Sequence, residues 1–192
     1  MSNDFYGYLK RMKYIKRWSL MHSTLEENDM EHTMEVTIIA HSLALIGNKK
    51  FDKNYDVNKV LTYALYHECS EVITGDLPTP VKYFNREINT AYKDLELGAC
   101  KKLISTLDND LAPEYEKCLL PDKNSPEYAI VKYADRISAY IKCIDEVNAG
   151  NKEFKKAHIS IGKDVKSIDS PEVKYFIDHV LPAFTKSLDE LD

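Results

Sequence analysis

The chain has 192 residues, of which 30% are charged, and 31 acidic against 26 basic side chains leave a formal net charge of −5. That length is near the size of one domain and closes a hydrophobic core without staples. Its scattered lysines and arginines offer a long nucleic acid no basic block to grip. No apolar run nears the roughly 20 residues that span a bilayer, so no membrane partner is expected. The four cysteines, Cys69, Cys100, Cys118 and Cys143, lie far apart with no C-x-x-C pair, and nothing at the amino terminus reads as a signal peptide. Reduced thiols in a cytoplasm fit that usage.

Six glycines and seven prolines punctuate the sequence, and between them apolar residues recur at three and four, the helical spacing. The fold class is therefore all-α, a single domain over residues 1–192 built as a bundle of about six to eight helices. A first helix is expected over Asp4 to Ile15. A second follows the polar stretch His22 to Asp29, where Asn28 with Glu31 three residues on resembles a capping box. In it His32, Val36, Ile39, Leu43 and Ile46 share one stripe, which turns His32 inward and His41 outward.

Asp56 is placed to cap a third helix with the stripe Val60, Ala64, His67 and Glu71. The run Thr74-Gly75-Asp76-Leu77-Pro78-Thr79-Pro80 ends it, because two prolines and a glycine cannot continue a helix; a long loop there can line a pocket. Ile88, Ala91, Leu95, Ala99 and Leu103 mark a long fourth helix, and Pro113 and Pro121 bracket a short piece. Ser125-Pro126-Glu127 and Ser170-Pro171-Glu172 each open a further helix, with proline at the first helical position. No internal repeat appears.

His32, His67-Glu68 and Asp135 offer two imidazoles and two carboxylates from three separate stretches, a donor set that suits one divalent ion. Individually each residue admits a plainer account. A helical histidine is more often a hydrogen-bonded core residue than a ligand. Asp135 lies on the flank of the stripe Ile130, Ala134, Ile137, Ile141, Ile144, where pairing with Lys132 or Arg136 serves as well. Glu71, one turn beyond His67, can take a proton from water or be an ordinary surface acid. Arg17-Trp18 offers a guanidinium fork for a phosphate and a flat indole for a sugar or base, or a core anchor beside a surface arginine.

Taken together, Arg17-Trp18, Glu31-His32, His67-Glu68 with Glu71, the loop from Gly75-Asp76-Leu77-Pro78-Thr79-Pro80 to Asn85, Lys132-Tyr133-Ala134-Asp135 and Ala139-Tyr140-Ile141-Lys142-Cys143 resemble the bacterial 5′-deoxynucleotidases of the HD-domain superfamily. Ala149-Gly150-Asn151 and Ser187-Leu188-Asp189-Glu190 are similar too, so the likeness covers almost the whole chain. It implies a helical, usually dimeric hydrolase that removes phosphate from deoxyribonucleoside 5′-monophosphates with one divalent metal ion, whether Mn, Co, Zn, Fe or Mg. Carried over residue by residue, it implies that His32, His67, Glu68 and Asp135 hold the ion and that Glu71 handles the attacking water. Arg17 would orient the phosphate, while Trp18, Asp76, Pro78 and Thr79 line the nucleoside side.

One departure stands out. The superfamily pairs His with Asp, whereas Glu68 follows His67 here, and the extra methylene moves the carboxylate by about 1.5 Å. No histidine lies between His67 and His158, which argues for a single ion and against a binuclear phosphodiesterase. The alternatives are another HD-type phosphohydrolase acting on a triphosphate or signalling nucleotide, and a non-catalytic nucleotide-binding module in which Glu68 disables the metal site.

Overall fold

A computed structural model describes residues 3–191, and among them the regular structure is helical, with one isolated antiparallel bridge between Lys16 and Asn28. The helices are α1 (Asp4–Leu9), α2 (Asp29–Lys50), α3 (Val57–Tyr66), α4 (Glu71–Thr74), α5 (Thr79–Lys82), α6 (Arg86–Ile104), α7 (Ala112–Leu119), α8 (Pro126–Asn148), α9 (Lys155–Lys166) and α10 (Pro171–His179). Eight of these have six residues or more, as the sequence leads one to expect; α4 and α5 are single turns on either side of Gly75-Asp76. The expected first helix is shorter than its periodicity suggests, since Lys10–Tyr14 tightens into a 3-10 turn. No helix among the described residues is long and apolar enough to cross a membrane.

The chain divides into two compact units. The first takes residues up to His22, Glu26–Met34 and Leu65–Asp122. Its core gathers Phe5, Cys69, Cys100, Leu103, Leu107 and Leu119, with Phe5 edge-on to Tyr115 at a ring separation of 4.7 Å and Tyr66 at 5.7 Å from the same ring. Such edge-to-face pairs set ring positions beyond what area burial alone specifies. The amino end of α2 is closed by Asn28, whose side chain accepts from the Glu31 amide at 3.1 Å while the Asn28 amide donates to the Glu31 carboxylate at 3.2 Å. That reciprocal pair satisfies amides the first turn leaves open.

The second unit takes Ser23–Leu25, Glu35–Ala64 and Lys123–Asp192. Val36, Ile39 and Leu43 of α2, Val60 and Ala64 of α3, Ile130, Ala134, Ile137 and Ile141 of α8, and Val173 and Phe176 of α10 make its core. Ser125 and Ser170 cap α8 and α10 through the Tyr128 and Val173 amides, as their Ser-Pro-Glu sequences suggest. Gly162 is required where α9 meets α8, because a Cβ there would lie 2.7 Å from the Tyr140 ring. The carboxylate of Glu146, which is fully buried, accepts from the Thr24 amide at 2.9 Å, Thr24 Oγ1 at 2.6 Å, Leu25 N at 3.2 Å, Lys142 Nζ at 2.6 Å and Asn151 Nδ2 at 2.8 Å. Lys142 also donates to the Leu25 carbonyl. A buried charge is tolerated when its lone pairs are filled in this way, and here the network holds the Ser23–Leu25 segment.

Candidate active site

The first unit concentrates ionisable groups on three short pieces of chain. Arg17 and Trp18 follow the 3-10 turn, where the Arg17 amide donates to the Glu27 carbonyl at 3.0 Å and the Asp29 amide to the Ile15 carbonyl at 3.1 Å. This two-strand contact sets Arg17 beside Glu27. Trp18 has φ +57°, a left-handed conformation that a bulky residue adopts only under constraint from its surroundings. His32 is on the inner face of α2, 1% exposed, as its stripe indicates.

His67 and Glu68 are not inside α3, which ends at Tyr66, but in the turn that follows it. Cys69 N bonds the Tyr66 carbonyl and Glu71 N the Glu68 carbonyl, and these i to i−3 bonds wind the chain more tightly than an α-helix. Such winding separates successive residues by about 120°, and the long Glu68 side chain nonetheless bends back to its neighbour. Glu68 Oε1 lies 3.4 Å from His67 Nε2 and 3.8 Å from His32 Nε2, and the two imidazole rings are 5.4 Å apart. His32, His67 and Glu68 each offer a ligand atom within 4.8 Å of the others.

These three residues fit a divalent ion. Bonds of about 2.1 Å to a tetrahedral or octahedral centre separate the donors by roughly 3.0–3.4 Å, close to the spacing found before any contraction around a charge. With its added methylene, the Glu68 carboxylate still reaches both imidazoles. Arg17 Nη1 donates to Glu68 Oε1 at 3.5 Å, which sets the guanidinium at the edge of the same cluster.

The surrounding charge is strongly negative. Glu71, the first residue of α4 and 4% exposed, has its pKa pushed up to about 11, first by burial and then by the charges of Glu68, Asp29 and Asp76. Asp29 is raised to about 7 by burial and by Glu68, with Arg17 pulling the other way. Asp76 is raised as well, chiefly by burial, while Arg17 and Lys82 oppose the shift. Carboxylates that repel each other in a desolvated space are relieved by a cation among them. Glu71 Oε2 is buried and makes no hydrogen bond to the described residues.

Of the remaining expected residues, Asp76 and Pro78 are half-buried in the segment after Gly75, whose φ of +71° turns the chain out of α4. Thr79 is exposed and opens α5. The Pro78 carbonyl accepts from Val81 and Lys82 at 2.8 and 3.0 Å, so the loop is a wound turn. Asp135 belongs to the second unit, half-buried on the flank of α8, with its Oδ2 2.6 Å from Lys132 Nζ. Glu27 and Asp29 escape sequence reasoning. Glu27 is in a loop with no period to mark it, and Asp29 looks like one more acid in a polar lead-in to a helix; only its complete burial separates it from a surface residue.

The chain matches the family model described as 5′-deoxynucleotidase YfbR-like over residues 4–184. It is 42% identical over 191 residues to a protein of Shewanella oneidensis named 5′-deoxynucleotidase, covering 99% of this chain and 98% of that one. With a Vibrio vulnificus protein named 5′-deoxynucleotidase VV1113 it shares 45% over 190 residues, covering 98% of both. Among solved structures, an HD-domain phosphohydrolase from Listeria innocua superposes with a TM-score of 0.82 at 24% identity, covering 94% of this chain and 88% of that one. The cyanophage S-2L HD phosphohydrolase DatZ, solved with dA and one catalytic Zn²⁺ ion, gives 0.62 at 15% identity, covering 92% and 96%. These two structures establish the likeness of fold, and the sequence matches establish the family. With an HD-type helical fold and a buried imidazole–carboxylate cluster beside an arginine, the chain is a member of the YfbR-like 5′-deoxynucleotidase family.

Proposed function

We propose that the protein is a metal-dependent phosphomonoesterase that hydrolyses deoxyribonucleoside 5′-monophosphates to deoxyribonucleoside and phosphate. The observation that carries this reading is the convergence of His32, His67 and Glu68 on one point, with Arg17 at its edge and Glu71 buried nearby. Asp135 is the fourth ligand in this reading, as the likeness to the 5′-deoxynucleotidase family implies. When bound, a divalent ion such as Mn, Co, Zn, Fe or Mg polarises the phosphoryl group and makes water more acidic.

The chain's own residues do the rest. Glu71 accepts a hydrogen bond from the attacking water and takes its proton as the new P–O bond forms. Arg17 neutralises charge on the phosphoryl oxygens as the P–O5′ bond breaks, and the proton taken up by Glu71 is given on, through solvent, to the leaving O5′. Trp18, Asp76, Pro78 and Thr79 line the side that receives the nucleoside. The substrate is a small molecule, with no role for a nucleic acid polymer. Discrimination against ribonucleotides follows from a pocket without room or partner for a 2′-hydroxyl.

Residues 1–192 act as a single HD-type phosphohydrolase domain, a reading supported by the family match running through both compact units. The protein works as a homodimer. Tyr83 and Phe84 are 66% and 76% exposed, and Val81 and Ile88 nearby in sequence are also exposed, an apolar concentration of the kind that marks an interface. Four free cysteines and the lack of a helix able to cross a bilayer among the described residues suit a cytoplasmic setting.

Phosphate release from all deoxyribo- and ribonucleoside monophosphates, screened against Mn²⁺, Co²⁺, Mg²⁺ and Zn²⁺, tests the whole reading. Turnover of the deoxy series with a marked preference over AMP is expected. Equal rates with AMP and dAMP would remove the sugar discrimination, and release of pyrophosphate or triphosphate from nucleoside triphosphates in place of phosphate would overturn the substrate class.

A further inference from the structure

Glu27 meets three of the groups just assigned and belongs to none of their roles. Its carboxylate is 14% exposed. Oε1 lies 3.2 Å from His32 Nδ1 and 3.3 Å from Arg17 Nε, and Oε2 accepts from Trp18 Nε1 at 3.2 Å. Its backbone carbonyl accepts the Arg17 amide. One side chain thus touches a candidate metal ligand, the candidate phosphate-orienting cation and the only tryptophan of the chain.

We infer that Glu27 is the positioning residue of this site, fixing the tautomer of His32 and holding the Trp18 indole and the Arg17 guanidinium in register with it. The inference rests on the reading of His32 as a ligand and of Arg17 and Trp18 as substrate groups.

The tautomer argument is chemical. A carboxylate facing Nδ1 is an acceptor, so the ring proton resides on Nδ1 and the lone pair on Nε2. Nε2 is the nitrogen that faces Glu68 Oε1, and a ligating imidazole needs its lone pair on that side. A carboxylate behind the ring also raises the basicity of the ligating nitrogen, and loss of such a partner costs roughly 10–100-fold in metal affinity. The indole bond explains the second feature. Trp18 holds a left-handed backbone that disfavours a large side chain, and its N–H reaches Glu27 from there, while its carbonyl accepts the Met21 amide at 2.8 Å. Relaxing φ would swing the indole off the carboxylate.

The test uses Glu27→Gln and Glu27→Asp with three readouts. In calorimetric titrations Glu27→Gln binds Mn²⁺ about 10–100-fold more weakly and Glu27→Asp, which keeps the charge, recovers part of the loss. In ¹H–¹⁵N spectra of the metal-free protein the single indole N–H resonance moves in Glu27→Gln. In steady state KM for dAMP rises as well as kcat falling, because Arg17 and Trp18 lose their anchor. Should Glu27→Gln fail to fold, long-range ¹H–¹⁵N spectra of the wild-type His32 ring at alkaline pH decide the matter: a proton on Nδ1 supports the inference, and one on Nε2 overturns it. A folded Glu27→Gln with unchanged Mn²⁺ affinity and an unmoved indole resonance also overturns it. If wild-type protein releases no phosphate from any monophosphate yet Glu27→Gln still weakens Mn²⁺ and shifts the indole, the functional reading fails while the positioning role stands.

Discussion

Glu71 and Glu146 are both buried glutamates, and their surroundings drive them in opposite directions. Glu71 is buried among Glu68, Asp29 and Asp76, so without a cation its proton is retained at neutral pH. A divalent ion reverses that balance by favouring the ionised form. Metal binding at pH 7 is therefore expected to expel about one proton, seen as a dependence of the calorimetric heat on the ionisation enthalpy of the buffer; Glu71→Gln should reduce it, and heats independent of buffer would contradict the coupling. Glu71→Ala should lower turnover of dAMP by roughly 10²–10⁴-fold, the usual reach of general acid–base catalysis, while equilibrium binding of dAMP persists. Unchanged phosphate release in metal-replete buffer would take Glu71 out of the chemistry.

Within α8, the Glu146 carboxylate is the acceptor for Thr24, Leu25, Lys142 and Asn151, and those hydrogen bonds hold its pKa well below the ordinary glutamate value of 4.5 despite the cost of burial. A depressed folded value means that its stabilisation is complete above the unfolded value and is lost as pH falls toward the folded one. Glu146→Gln leaves the Lys142 ammonium, 7% exposed, without its counter-charge. A loss of about 3–5 kcal/mol is expected from breaking a buried pair on one side, measured by urea unfolding at neutral pH. The difference between variant and wild type should shrink as the pH is lowered below about 4.5, and a gap independent of pH would show that the charge of Glu146 is not what stabilises the segment it holds. Glu71 has the opposite sign: its raised value makes the metal-free protein lose stability as pH climbs above the ordinary glutamate range.

For the molecule as a whole, the exposed Val81, Tyr83, Phe84 and Ile88 bear on assembly. Phe84→Glu places a charge in that apolar concentration and should shift a homodimer to monomer in light scattering coupled to size exclusion, with helical content unchanged. A wild-type mass of one chain at micromolar concentration would sink the dimer. Chelation should remove phosphatase activity and lower the melting temperature, because an ion that binds only the folded state stabilises it by mass action; recovery of both on adding back Mn²⁺ or Co²⁺ separates metal loss from irreversible damage.

Periodicity carried the helices. The stripes through Val36, Ile39 and Leu43 and through Ile130, Ala134, Ile137 and Ile141 are buried as their spacing requires, and the caps at Asn28, Asp56, Ser125 and Ser170 all make their side-chain bonds, because both signals are local and a helix reads them within one turn. The α6 stripe shows the limit: Ala99 and Leu103 are buried, yet Ile88, Ala91 and Leu95 are exposed, since spacing defines a face but not what covers it. The residue types for a metal-assisted phosphohydrolase were also legible, and the resemblance drew His32, His67, Glu68 and Arg17 together. The convergence of Glu68 on both imidazoles depended on α2 bringing His32 against the turn after Tyr66, and the burial of Asp29 and the threefold grip of Glu27 depended on the pairing of residues 15–17 with 27–29. Those contacts join positions far apart along the chain or lodged in loops, where no repeat marks them, so only folding brings the charges close enough to perturb one another and to hold a cation.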